Sequence, residues 1–244
     1  MEEKHVKTIK LIIVNLFTII RLLGAFSLPF IFIEYGVNIC ALWCIGLFST
    51  DAIDGFLART FKVSTFFGSS MDALSDKCLN FISYILLGIN YNIMFAPLIL
   101  EIAILLTIYN TYRQGGNIQS SKIGKIKTVI LDVLVILSFI LLSLPNFNIK
   151  YSFILKIIKE TPDLINLFGC IITIASILAL LSYKKKNLIE RVNPNNVKIK
   201  NTIRVRKTFK EVMHDAFDTE YYKKNKDEPI MKQFYKNIKV KQTA

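Results

Sequence analysis

Apolar residues in this chain fall in long blocks separated by short polar or charged intervals, unlike the narrow apolar stripe of a soluble surface helix. A helix needs roughly 20 mostly apolar residues to cross about 30 Å of hydrocarbon, and the blocks approach that length. The first runs from Leu11 to Ile33, and the second from Val37 to Ile53 before continuing into a polar helical segment. The third starts with polar residues near Ser69 and is apolar from Cys78 to Ile93. The fourth covers Pro97 to Tyr109, the fifth Val129 to Leu144 and the sixth Leu164 to Tyr183. The first block is too long for a removable signal peptide and lacks its small-residue cleavage site. His5 to Phe17 has the pattern of an interfacial amphipathic helix leading into the first span. The pattern predicts an all-α polytopic protein: a six-transmembrane-helix bundle with short connections. A membrane domain over residues 1–186 is followed by a tail over residues 187–244.

Composition narrows the class further. The 244 residues are 52% hydrophobic with only Gly 10, Pro 6 and Cys 4, which excludes a disordered chain, a collagen-like repeat and a disulfide scaffold. Cys40, Cys44, Cys78 and Cys170 all sit inside apolar runs and read as small buried hydrophobes, not as bridges or zinc ligands. From Lys184 onward there are 17 Lys/Arg against 7 Asp/Glu, a net of +10, so residues 1–183 carry only +3 of the chain's +13. Arg59, Lys62, Arg113, Lys122, Lys125, Lys127 and Lys184 to Lys186 fall in intervals on one side of the spans, with Lys4, Lys7 and Lys10 before the first. The turns at 34–36 and 88–95 on the other side have no Lys or Arg, although the last outer loop carries Lys150, Lys156 and Lys159. On balance both termini are expected in the cytoplasm of a multi-pass protein of the cell's inner or plasma membrane. The tail, with Phe209, Phe217, Tyr221, Tyr222, Phe234 and Tyr235 among its charges, reads either as short helices on anionic lipid or as a solvated extension. It carries no nucleic-acid-binding module, and no nucleic-acid partner is expected.

The chemistry concentrates between Asp51 and Asp76. Carboxylates are costly in membrane spans and mark function or pairing. Asp51 and Asp54 are three residues apart, Asp72 and Asp76 four, so each pair shares a helix face. The short connection from Thr60 to Phe67 brings the second helix back antiparallel, so all four converge near the interface. Clustered carboxylates repel unless a cation lies between them, and an all-oxygen cage suits Mg²⁺ or Mn²⁺. Two such ions would clamp a diphosphate, leaving one carboxylate to accept the proton of an incoming hydroxyl. Gly55, Gly68 and Ala58 remove bulk beside the acids, and Arg59 can pair with phosphate or orient an aspartate.

These residues form Asp54-Gly55-x2-Ala58-Arg59-x8-Gly68-x3-Asp72-x3-Asp76, with Asp51 three residues upstream. The run resembles the full signature of the CDP-alcohol phosphatidyltransferase family, and with the six spans the resemblance covers about residues 5–183 but not the tail. The resemblance implies an integral membrane enzyme, commonly a homodimer, with a cytoplasmic-side active site. It implies that Asp51, Asp54 and Asp72 hold two divalent ions, and that Asp76 contributes to the metal site or serves as the base. Gly55, Ala58, Arg59 and Gly68 would line the CDP pocket.

Asn15-x2-Thr18-x2-Arg21, and the segment from Ser120 to Thr128 that opens the fifth span, are similar to the corresponding parts of phosphatidylglycerophosphate synthases. Arg21 pairs with something anionic, either the acidic cluster or substrate. Lys125 and Lys127, with Arg113, would form a basic pocket for a small phosphorylated alcohol. One difference from that branch is that Glu101 follows Leu100, where those enzymes carry Arg beside Glu. The expected reaction transfers a phosphatidyl group from CDP-diacylglycerol to glycerol 3-phosphate. The alternatives are another acceptor (inositol phosphate, serine or a phospholipid) or a non-catalytic membrane scaffold.

Overall fold

The computed structural model describes residues 2–61, 63–113, 122–147, 151–191, 202–225 and 234–239. Positions 62, 120–121 and 150, used above for topology and the fifth-span motif, lie outside them, as do the side chains of Lys4, Lys7, Arg59, Arg113, Lys122, Lys185 and Lys186.

Helix α1 (Glu2–Phe61) is two limbs, 2–35 and 37–61, because Gly36 adopts φ 77° and ψ 178° between them. That backbone region is essentially restricted to glycine. The limbs fold back on one another about this residue. Arg21 faces Asp51, and Thr18 faces Asp54, each pair placed symmetrically about Gly36. Nearer the turn, the Trp43 indole N–H donates to Ser27 Oγ at 3.1 Å and to the Gly24 carbonyl at 3.2 Å. Then follow α2 (Phe66–Asn90), a 3₁₀ turn at Asn92–Met94, α3 (Phe95–Arg113), α4 (Lys122–Ser143), a 3₁₀ turn at Leu144–Asn146, and α5 (Ser152–Arg191). Helix α5 therefore runs a little past the expected boundary at 186.

Among the described residues, Ile9–Ala58, Asn92–Thr111, Ile123–Asn146 and Ser152–Lys184 are long and apolar enough to cross a membrane. The first is 50 residues, which as one straight rod would reach about 75 Å, more than twice the hydrocarbon thickness of about 30 Å. Reversal at Gly36 removes that mismatch. The outward faces are apolar, with Leu23, Phe26, Ile33, Leu42, Ile99, Val129 and Leu181 all exposed. This is an integral membrane protein. Lipid supplies no hydrophobic drive for helix association, so close packing of small and polar residues has to provide it. Ala25, Cys40, Ala41, Cys44, Ser75, Ser83, Ser138, Ser176 and Ala179 are all buried, alongside Leu28, Leu79, Leu87, Val135, Phe139 and Ile172. All four cysteines are free. Cys40 and Cys44 fill the core as expected, Cys78 is partly buried, and Cys170 faces outward.

Residues 202–225 and 234–239 are not a bare extension. Strand β1 (Thr202–Arg206) pairs antiparallel with β2 (Tyr235–Lys239). Between them lie α6 (Phe209–Phe217) and α7 (Thr219–Asn225). Thr208 and Glu211 close a reciprocal capping box at the start of α6, a local reason for that helix to form.

Candidate active site

The site is built where the second limb of α1 gives way to α2. Thr65 is extended, and its Oγ1 accepts the Gly68 N–H at 3.1 Å, capping α2 and starting it immediately after the turn. Val63 is buried beneath that turn. A side chain at Gly68 would put its Cβ 2.9 Å from Asn15 Oδ1 and 3.2 Å from Thr65 Oγ1. Gly68 thus lets α2 approach the first limb of α1 closely, a role additional to the expected one beside CDP. Gly55 and Ala58 lie half-buried on the second limb.

Arg21 lies at the centre, with no exposed surface. Its Nη1 binds Asp51 and lies 3.1 Å from Asp76, and its Nη2 binds Asp72 and lies 3.3 Å from Asp54. Nε donates to Ser75 Oγ at 3.1 Å, and that hydroxyl donates onward to the Asp72 carbonyl at 2.9 Å. A planar guanidinium with five fixed donors can meet several carboxylates at once, where a lysine ammonium cannot. Arg21, expected at the acceptor or the acidic cluster, is here with the cluster.

The aspartates are not equivalent. Asp54 is sealed, with its side chain 4% exposed, and accepts Thr18 Oγ1 at 3.2 Å. The side chains of Asp51, Asp72 and Asp76 are 41%, 45% and 40% exposed, and one oxygen from each lies within 4.8 Å of the others. Three open carboxylates at this separation suit a hard cation taking oxygen ligands. A fifth acid, Asp132 of α4, accepts Asn80 Nδ2 at 3.4 Å, and its charge reaches Asp76. The sequence reading missed Asp132, yet a lone carboxylate in the apolar run of the fifth span is the kind of signal that marks function.

Next to this cluster, Glu101 of α3 is buried and pairs with Lys77 of α2 and Lys127 of α4. Two neighbouring helices supply the cations that the residue before Glu101 does not. The triad keeps one net positive charge. Lys127 is buried in it, whereas Lys125 is exposed. Two residues apart on a helix cannot share a face, so these two lysines do not form one pocket wall.

The family model described as CDP-alcohol phosphatidyltransferase matches residues 11–179. A curated CDP-diacylglycerol–glycerol-3-phosphate 3-phosphatidyltransferase of Yersinia enterocolitica is 32% identical over 112 residues, which is 43% of this chain and 60% of that protein. Proteins of the same name from Yersinia pestis and Pectobacterium atrosepticum are 35% and 37% identical over 68 residues, which is 28% of this chain and 36% of each. The similarity thus spans less than two thirds of each of these relatives. No solved structure matches the chain. The Asp51–Asp76 cluster lies inside the family match, and the chain belongs to the CDP-alcohol phosphatidyltransferase family.

Proposed function

We propose that this chain is an enzyme of phospholipid biosynthesis that transfers a phosphatidyl group from CDP-diacylglycerol to glycerol 3-phosphate and releases CMP. The observation that carries the reading is the convergence of Asp51, Asp72 and Asp76, half-open and within 4.8 Å, at the ends of two antiparallel helices. On this reading they hold Mg²⁺ or Mn²⁺, two ions in all, with Asp54 completing the acidic set. Bound divalent ions would neutralise the donor's diphosphate oxygens and the departing CMP. Asp76 accepts the proton of the acceptor hydroxyl as its oxygen bonds to the lipid-bearing phosphorus and the bond from that phosphorus to the CMP oxygen breaks. General-base help of this kind contributes roughly 10²–10⁴-fold. Gly55, Ala58, Arg59 and Gly68 line the CDP pocket, and Arg21 balances the carboxylates.

The acceptor phosphate is assigned to the basic side of the site, at Lys127 with Lys77. The net positive charge of the Lys77–Glu101–Lys127 triad supports a phosphorylated acceptor over a neutral one. The names of the relatives support glycerol 3-phosphate. Six membrane passes, a site and both termini on the cytoplasmic side, a membrane domain over 1–186 with a basic tail over 187–244, and a homodimer belong to the same proposal. The fold-back of α1 at Gly36 and the side-biased Lys/Arg distribution support the first two, and the family resemblance supports the dimer.

The test is CMP release from CDP-diacylglycerol by purified protein with Mg²⁺ or Mn²⁺, against a panel of acceptors. Turnover with glycerol 3-phosphate alone is expected, and Asp72→Asn should abolish it without changing membrane insertion. Turnover with another acceptor keeps the reaction class and overturns the acceptor. No release from folded protein with any acceptor refutes the enzyme reading and leaves the scaffold.

A further inference from the structure

The folded tail lies beyond the residues matched by the family, yet it packs on the connection that joins the two aspartate-bearing helices. Phe217 of α6 stacks on Phe67, with ring centroids 4.5 Å apart and planes at 29°. Tyr222 and Tyr221 of α7 meet Phe66 edge-on, at 4.8 Å and 5.9 Å. These rings come from a unit with its own internal order. The Lys207 ammonium donates to Asp215 at 2.5 Å and to the Tyr221 hydroxyl at 2.9 Å, and it sits 4.6 Å above the Tyr221 ring. Burial works against that charge, but Asp215 and Tyr221 outweigh it and hold Lys207 above its ordinary range. The Lys207 N–H also donates to the Phe234 carbonyl at 2.9 Å, tying the end of β1 to the approach to β2.

On the receiving side, Phe66 and Phe67 are the first two residues of α2. Asp72 and Asp76 follow on the same helix, about 9 Å and 15 Å along its axis from Phe66. A helix turns as a rod, so whatever sets the rotation of its first turn also sets where these carboxylates point. Residues 63–65 before it are not helical.

We propose that the β1–α6–α7–β2 unit is a positioning brace, in which Phe217, Tyr221 and Tyr222 clamp Phe66 and Phe67 and thereby hold Asp72 and Asp76 at cation-binding distance from Asp51. The inference rests on reading the three aspartates as a divalent-cation site, and it does not depend on which alcohol is the acceptor. The brace residues act through α2 and touch no substrate.

The experiment uses full-length protein in detergent and compares Phe217→Ala/Tyr222→Ala with the conservative pair Phe217→Leu/Tyr222→Phe. Mn²⁺ alone is the probe, its affinity read by electron paramagnetic resonance, alongside hydrogen exchange over residues 63–76. The alanine pair should weaken Mn²⁺ binding three- to tenfold and speed exchange in the first turns of α2, and the conservative pair should restore both. If the alanine pair unfolds the tail, the brace is equally removed and the same loss is expected. Wild-type Mn²⁺ affinity and unchanged exchange over 63–76 in the alanine pair would overturn the proposal. CMP release separates the two readings. Wild-type protein whose Mn²⁺ binding and α2 exchange respond to the variants, but which releases no CMP, refutes the reaction and leaves the brace standing. An alanine pair identical to wild type in binding, exchange and turnover refutes the brace and leaves the reaction.

Discussion

Replacing Arg21 by Gln removes the cation that, among the described residues, pairs with all four carboxylates, while keeping a polar side chain of similar reach. The cost is dominated by Asp54, because Arg21 is fully buried and the Asp54 side chain is only 4% exposed. Breaking a buried pair by deleting one partner costs roughly 3–5 kcal/mol, since the remaining charge stays desolvated. Asp51, Asp72 and Asp76 are 40–45% exposed, so water screens them and each adds about 1 kcal/mol or less. At about 2–4 °C per kcal/mol for a chain of this size, Arg21→Gln should lower the unfolding temperature by roughly 6–20 °C in metal-free detergent. Divalent cation should then restore much of the loss, because a ligand at a hundred times its Kd stabilises by about 2.7 kcal/mol. Wild type should gain less from the same Mg²⁺, since the guanidinium already neutralises the cluster. Arg21→Gln/Asp54→Asn should be more stable than Arg21→Gln, because the orphaned buried charge goes with its partner. The assay is thermal unfolding with and without Mg²⁺. An Arg21→Gln protein that melts with wild type and shows no added response to Mg²⁺ would refute the reasoning.

Two further perturbations follow from named contacts. At Gly36, where nothing lies within 4 Å of an added Cβ, the penalty is purely backbone. Gly36→Ala should therefore cost about 1–3 kcal/mol in unfolding measurements, whereas Gly46→Ala, also with open space around it, should be neutral or slightly stabilising. Glu101→Gln should destabilise by roughly 3–5 kcal/mol by leaving buried Lys127 unpaired. Adding Lys127→Met should recover the melting temperature but not acceptor binding, with KM for glycerol 3-phosphate rising roughly 10-fold or more for a lost charged contact.

The membrane character and the convergence of the aspartates were legible in the sequence because each is a local property, whereas α2, expected as the third span, is not among the described helices long and apolar enough to cross a membrane. Block length reports whether a helix can cross lipid. Spacings of three and four put Asp51 with Asp54 and Asp72 with Asp76, and the short connection between the pairs leaves the second helix nowhere to go but back. The positive-φ geometry at Gly36 was anticipated only as a turn without Lys or Arg. The division of labour among the acids was not legible. Sealing Asp54 and opening Asp51, Asp72 and Asp76 depends on how the limbs of α1 and α2 are rotated, which spacing within one helix does not specify. For the same reason the Lys77–Glu101–Lys127 triad, drawn from three helices, and the approach of Asp132 to the site emerge only from packing. The tail shows the contrast most sharply. Its charge and aromatic content pointed to lipid or solvent, and the Thr208–Glu211 box lay in plain view, but only the tertiary structure brings Phe217, Tyr221 and Tyr222 onto Phe66 and Phe67, some 150 residues away in the chain. Contacts at that separation are decided by which surfaces complement one another once the helices have packed, and a linear pattern carries no record of that choice.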